Sequence, residues 1–387
     1  MMKKIGYVMA YSERGVNFGT SLQGYALLKK MQELGHDVEI INYVKCLSFF
    51  QKVQYVINAI RCGELKTLVG RRNKDKSIKL SNFFGEAMFN RRKAANEYKK
   101  DKLLPWFHDY VGYDALHNGS KNYDSVIVGS DQVWSPLSFA NKFFNLLFVD
   151  DAVRKISYAS SFGVSVIPRF QRKATGNYLD RFYMIGVREQ KGKEIVDSLS
   201  KNTAQVVADP TLLLTKEEWM KEIDESSIAI QSKYIFCYFL GTNQESRTAA
   251  KLLSERTGLK IINILNMDQY VATDEKFGDW CPSYVGPNDF LKLIYNAEYV
   301  CTDSFHCTVF STIFHRKFMT FYRFSCTSKT SRNSRIDSLF NVLGIPNEHL
   351  FSGDIMNIDM PIDYEKIEEN LKLLRSESIK FLRDSLS

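Results

Sequence analysis

Proline is scarce in this 387-residue chain, at 8 residues, and glycine is modest at 21. Set beside 27 phenylalanines, that scarcity excludes a disordered or collagen-like polymer. Long apolar runs are also missing. Stretches such as 143–149 fall far short of the roughly 18–20 residues that a bilayer-spanning helix needs. Residues 1–4 carry charge, but the apolar run after them stops at the polar stretch 11–14, so no secretory leader is expected. The seven cysteines (46, 62, 237, 281, 301, 307 and 326) are odd in number and form no C-x-x-C pair. That argues against a disulfide framework or thiolate zinc site and for a reducing compartment. Six histidines include no pair at metal-ligand spacing, so neither a bound metal nor another cofactor is expected. A cytoplasmic globular protein of about two domains is the expectation.

What charge there is sits unevenly. Residues 45–121 hold 16 Lys/Arg against 7 Asp/Glu, while the rest of the chain holds 36 against 37. Phe49, Phe50, Phe83, Phe84, Phe89, Trp106 and Phe107 are interleaved there with Arg71, Arg72, Arg91, Arg92 and Lys93. By composition the segment reads either as a solvated helical insertion with inward aromatics or as a surface that could meet nucleic acid, an anionic membrane or a diphosphate-bearing substrate. Nucleic acid is not among the expected partners.

Around this insertion the pattern alternates. Residues 3–10 and 37–42 suit buried strands, and Leu22, Tyr25, Ala26, Leu28, Met31 and Leu34 between them recur at helical spacing. Strand-like runs return at 125–129, 155–160, 183–187 and 205–208. After a polar linker at 224–233 they return at 234–240, 259–264, 298–302 and 318–321. Such alternation predicts two open, Rossmann-like α/β domains facing one another across a cleft. The first spans 1–223, with the insertion at about 45–121, and the second spans 234–360. The amphipathic segment 361–387 is predicted to be a helix packing back on the first domain.

Ligands in such sheets collect beyond the carboxyl ends of strands, and four strand ends are rich in polar residues. Gly15–Thr20 contains Asn17, Gly19 and Thr20 at a helix start, suited to an anion or to a tight turn alone. It matches neither a dinucleotide nor a P-loop motif. Gly129–Trp134 gathers Ser130, Asp131, Gln132 and Trp134, an assortment suited to a sugar, though Asp131 equally suits a helix N-cap. Arg188 follows a strand, as a fork for a carboxylate or phosphate or as a salt bridge to Glu189 or Asp209. Thr302–His306 places His306 in the first turn of a helix, either as a buried core histidine or as a group responsive to an anion. Arg323 and Arg335 add positive charge downstream.

Read in order, Asn17–Thr20, Gly129–Trp134, Val187–Glu189, Ala208–Thr211, Thr302–His306 and Ser334–Ile336 resemble the polysaccharide pyruvyl transferase family from about residue 5 to 345. The resemblance implies a two-domain architecture of the GT-B type and transfer of pyruvate from phosphoenolpyruvate, a co-substrate, onto a sugar such as galactose as a cyclic ketal. Bacterial capsule or exopolysaccharide synthesis is the implied setting, with a polyprenyl-diphosphate- or nucleotide-linked acceptor. It implies that Arg188 grips the donor and that His306 lies near it. Some members carry arginine where this chain has Ser304, so Arg335 or Arg323 is expected to supply the missing cation. With His306 as general acid and Asp131 as base, the acceptor would meet Asn17, Gly19, Thr20, Ser130, Gln132 and Trp134. Two rivals are a nucleotide-sugar glycosyltransferase and a non-catalytic module binding anionic glycans or the inner membrane face.

Overall fold

A computed structural model describes residues 2–12, 15–45, 49–62, 81–230, 232–266, 269–324 and 333–387. Seven parallel strands form the first sheet: β1 (Lys4–Val8), β2 (Asp37–Val44), β3 (Phe107–Val111), β4 (Ser125–Asp131), β5 (Arg154–Ser160), β6 (Met184–Val187) and β7 (Ala204–Val206). Their spatial order is β3-β2-β1-β4-β5-β6-β7. The second sheet, also parallel, joins β8 (Tyr234–Tyr238), β9 (Lys260–Ile264), β10 (Tyr299–Thr302) and β11 (Lys317–Thr320) in the order β11-β10-β8-β9. Strands such as Val126–Val128 and Ile235–Cys237 are buried outright, as parallel strands covered by helices on both faces must be.

Both orders reverse direction once. In the first sheet the chain winds outward from β1 through β2 on one side and resumes through β4 on the other. The second sheet does the same from β8, with β9 and β10. Such a reversal splays the connecting loops apart and opens a crevice at the strands' carboxyl ends. The two crevices face each other, so the fold itself decides where the site must be.

An apolar core runs across the junction of the two domains. Helix Phe18–Glu33 lays Phe18 against Phe290 of helix Pro287–Tyr295, with ring centroids 4.8 Å apart, and 6.0 Å from Tyr238 at the end of β8. The last helix, Tyr364–Leu386, crosses from one domain to the other. Asn370 donates to the Leu343 carbonyl (3.0 Å), Arg375 Nε to Leu212 O (2.9 Å), and Ser378 Oγ accepts from Ala208 N at 2.8 Å.

The basic segment differs from its expected form. It is not helical throughout: Phe107–Val111 is a strand, pairing with β2 from Ile40↔Phe107 to Val44↔Val111. Only Tyr110 of its five residues is buried, so β3 is an edge strand with little of the apolar alternation that marks one. Arg71 and Arg72 lie outside the described residues. Arg91 is no surface charge. Helix Asn82–Lys102 holds it 2 % exposed, its guanidinium 4.1 Å from the centre of the Phe18 ring, donating to Leu265 O (2.9 Å) and Tyr238 Oη (3.2 Å). The same helix sends Lys99 Nζ to Ser12 O and Gly15 O (2.9 and 2.7 Å) and Asn90 to Ser283 (3.2 Å). It is a strap pinning both domains.

Arg91→Ala is therefore expected to lower the unfolding free energy by about 2–4 kcal/mol, the sum of charge-assisted hydrogen bonds and a desolvated cation–π contact. Urea unfolding measures this. A midpoint unchanged from the native protein would show that the strap contributes nothing.

Candidate active site

The cleft between the two crevices encloses about 220 Å³. From the N-terminal domain it is lined by Ala10 after β1, Asn17 and the Asp131–Gln132 turn after β4. From the C-terminal domain come Leu240 after β8, Ser304–His306 after β10, Arg323 and Arg335.

On the first side, Asn17 caps helix Phe18–Glu33, accepting from Thr20 N at 3.4 Å. Asp131 takes a left-handed conformation (φ 68°), unusual for a residue with a Cβ. Its Oδ2 accepts from Thr20 Oγ1 (3.1 Å) and its Oδ1 from Gln132 N (2.8 Å). On the second side, the Asp303 carboxylate accepts from Leu240 N (2.6 Å) and Gly241 N (2.7 Å), tying the end of β10 to the end of β8. Ser304 caps helix Phe305–Ile313, accepting from Cys307 N at 3.5 Å. Arg323 reaches the Asp303 carbonyl at 3.2 Å.

His306 joins the two halves. It belongs to the C-terminal domain, yet its ring lies on Gly19 of the N-terminal domain, where any Cβ would overlap the imidazole Nδ1. Nε2 lies 3.8 Å from Asp209 Oδ2 and hydrogen-bonds no described residue. Asp209, fully enclosed at the start of helix Pro210–Leu213, accepts from Thr211 N (3.0 Å), Thr211 Oγ1 (2.7 Å) and Arg188 (2.9 Å). Burial pushes the His306 imidazole below its ordinary range. The Asp209 and Asp131 carboxylates pull it up, and Arg188 and Arg335 push it down again. Burial alone would raise Asp209 and Asp131, but Arg188 foremost for Asp131, and for Asp209 the His306 imidazole once protonated together with Arg188, hold both carboxyls low. Arg335, half-buried, is pushed down by burial and by the like charge of Arg188.

The profile of the polysaccharide pyruvyl transferase family matches residues 17–323. The chain belongs to this family. Among curated proteins none matches its sequence. In fold it is similar to a UDP-GlcNAc 2-epimerase of Neisseria meningitidis solved with UDP-GlcNAc. That likeness has a TM-score of 0.51 at 8% identity and covers 98% of this chain and 99% of that one. A putative UDP-N-acetylglucosamine 2-epimerase of Listeria monocytogenes compares at TM-score 0.51 and 11% identity, over 98% and 90%. These likenesses show the two-domain GT-B type of fold.

The residues singled out from sequence separate into two groups. Asn17, Asp131, Gln132, Ser304, His306, Arg323 and Arg335 line the cleft together. Five others do not. Trp134 is 4 % exposed, its Nε1 donating to Phe144 O (3.1 Å) and its ring packed against Phe162, Tyr178 and Phe182, so it is core and no platform for a sugar. Ser130 is fully enclosed, donating to Ala159 O (3.0 Å). Gly19 is covered by His306, and Thr20 is turned onto Asp131. Arg188 lies behind Phe305, 4.7 Å from its ring centre, and faces Asp209. No helix follows Asp131, so it is not an N-cap.

Sequence reading named Asp209 as a salt-bridge partner of Arg188, which it is at 2.9 Å, but gave neither Asp209 nor Asp303 a place in the site. Asp-Pro-Thr after a strand is an N-cap signature, so Asp209 was readable as a cap but not as the partner of His306. Among the described residues no group of three or more His, Cys, Asp or Glu is placed to hold a metal ion.

Gly19→Ala should displace the imidazole and cut turnover by about 100-fold, the effect of an ångström-scale misplacement of a reacting group. Steady-state kinetics would check this, with thermal melting to confirm the fold. Near-native turnover would mean that the His306 position is not needed.

Proposed function

We propose that this enzyme moves the pyruvyl group of phosphoenolpyruvate onto two hydroxyls of a sugar, a hexose of a bacterial surface polysaccharide, forming a cyclic ketal. The observation carrying this reading is the convergence, in one cleft of a pyruvyl transferase, of Arg323, Arg335 and the start of helix Phe305–Ile313 opposite Asp131, with His306 between them. Phosphoenolpyruvate has a carboxylate and a phosphate. Two guanidinium forks and a helix N-terminus complement that pair of anions.

The chemistry follows from where protons must go. C2 becomes electrophilic when C3 of the enol is protonated, and His306 supplies that proton. A sugar hydroxyl adds to C2 and gives its proton to Asp131. Inorganic phosphate then leaves C2, stabilised by the arginines, and the neighbouring hydroxyl closes the ring, its proton departing with phosphate. The balance is one phosphoenolpyruvate and one diol in, one ketal and one phosphate out. Asp209 faces His306 Nε2 and stabilises the imidazolium. Arg188 acts through Asp209, keeping that carboxylate charged. Beyond Asp131 the cleft continues past Tyr11 and Ser12 into a groove walled by Tyr43, Phe107, Phe143 and Phe144, room for the remainder of a sugar acceptor.

Incubation with phosphoenolpyruvate and a panel of lipid-linked and nucleotide-linked sugars, read by mass spectrometry and phosphate release, tests the reading. Pyruvylated sugar with stoichiometric phosphate is the expected product. Release of a nucleotide without any use of phosphoenolpyruvate would identify a glycosyltransferase instead. His306→Gln should lower kcat by about 10²–10⁴.

The depressed imidazole makes a second expectation. Free His306 is largely neutral at pH 7, and the donor's negative charge raises its affinity for a proton, so binding should take one up. Calorimetry of phosphoenolpyruvate binding in buffers of different ionisation enthalpy reads this directly. Uptake should be near zero for His306→Gln, and equal uptake in both proteins would assign the proton elsewhere.

A further inference from the structure

Helix Phe49–Arg61 presents an apolar stripe that the rest of the described protein does not cover. Val53, Val56, Ile57 and Ile60 are 39%, 45%, 49% and 55% exposed. Their i, i+3, i+4, i+7 spacing puts them on one face. The opposite face is firmly seated. Ala59 is buried, Asn58 Nδ2 donates to Pro136 O (3.0 Å), and Gln171 Nε2 donates to Asn58 Oδ1 (2.7 Å). Arg61 stacks on Phe170 at 4.1 Å. The helix is thus held with its stripe outward, and seating it differently would break these bonds.

We infer that this stripe docks the protein on an anionic membrane surface, the four aliphatic side chains entering the headgroup boundary and the surrounding cations meeting lipid phosphates. Two observations choose this partner. From 45 to 63 the chain carries Lys45, Lys52 and Arg61 and no acidic residue. Exposed aliphatics on a helix free of acid are the pattern of interfacial helices. A second copy of the chain fits poorly, because a two-fold contact would set this same cationic surface against itself. The placement also suits the pyruvyl-transfer reading, on which this consequence rests. The aromatic groove leading from the cleft ends at Tyr43, Val44 and Lys45, and the docking helix begins at Phe49. The groove's end and the docking helix are thus close along the chain, which suits an acceptor sugar carried on a membrane lipid.

Co-sedimentation of the full chain with vesicles of phosphatidylcholine, alone or mixed with phosphatidylglycerol, tests the inference at low and physiological salt. Native protein should bind the anionic vesicles at least about tenfold more tightly than the neutral ones, and more weakly as salt rises. Val56→Asn, Ile57→Asn and Ile60→Asn together should reduce that binding by about tenfold or more. Circular dichroism should remain native, as should turnover of phosphoenolpyruvate with a soluble sugar. Native protein left in the supernatant with anionic vesicles at low salt would overturn the proposal. So would a triple variant that binds as the native protein does. A native dimer that the triple variant splits into monomers, seen by analytical ultracentrifugation, would make the stripe a contact between copies and overturn it too. Vesicle binding needs no substrate, so its failure leaves pyruvyl transfer standing, and a failure of pyruvyl transfer leaves docking standing.

Discussion

The imidazole of His306 occupies the space that Gly19 leaves at the start of the first helix, and the geometry of the cleft depends on that contact. A histidine on the C-terminal domain meets Asp209 and Asp131 of the N-terminal domain only because one residue there has no side chain. The constraint runs both ways. Gly19 fixes how closely the two crevices approach, and the approach brings Arg323 and Arg335 to bear on the volume above Asp131. Neither sheet alone holds a complete set of groups.

Electrostatics explains why so many charges tolerate enclosure here. Arg188 is 6 % exposed, but three carboxylates surround it: Asp209 at 2.9 Å, Glu189 at 3.7 Å and Asp131 at 3.9 Å. A lone buried guanidinium would be strongly destabilising. Ringed by carboxylates it stays charged, and in turn it helps hold the Asp131 and Asp209 carboxyls low. The arrangement leaves the N-terminal wall of the cleft acidic on balance, whereas Arg323 and Arg335 make the facing wall basic. On the proposed pyruvyl-transfer reading, the anionic donor belongs against the basic wall and the hydroxyl-bearing acceptor against the acidic one.

The strands and most helices were legible in the residues because buried parallel strands and amphipathic helices write themselves as short apolar runs and helical spacing. β8 at Tyr234–Tyr238 and helix Phe18–Glu33 are examples. Strand β3 was not, since an edge strand with one buried residue in five has no pattern to read. At the site, position along the fold was legible and orientation was not. The strand-end rule pointed to Asp131, Ser304 and His306, which do line the cleft. It pointed equally to Trp134, and nothing local distinguishes an indole facing sugar from one facing Phe162 and Phe182. Arg91 is the clearest case. Its neighbours in the chain mark it as one of a surface run of cations. Only the fold places Phe18 and Leu265, far apart in sequence, on either side of it.

That placement bears on how substrates could reach the site. Two-domain enzymes with a polar interface commonly open and close about a hinge. Here the domains share a continuous apolar core through Phe18, Tyr238 and Phe290, and a third element, helix Asn82–Lys102, is bonded to both. Opening the cleft would expose those rings and strip the Arg91 guanidinium of its carbonyl and tyrosine partners, a cost set by desolvation and not by loop flexibility. A closed arrangement needs another entrance. The groove from Asp131 past Tyr11 to Tyr43 and Lys45 provides one along the carboxyl edge of β1 and β2, without separating the domains. The same strap that denies hinge opening, through Lys99 bonded to Ser12 and Gly15, also fixes one wall of that groove.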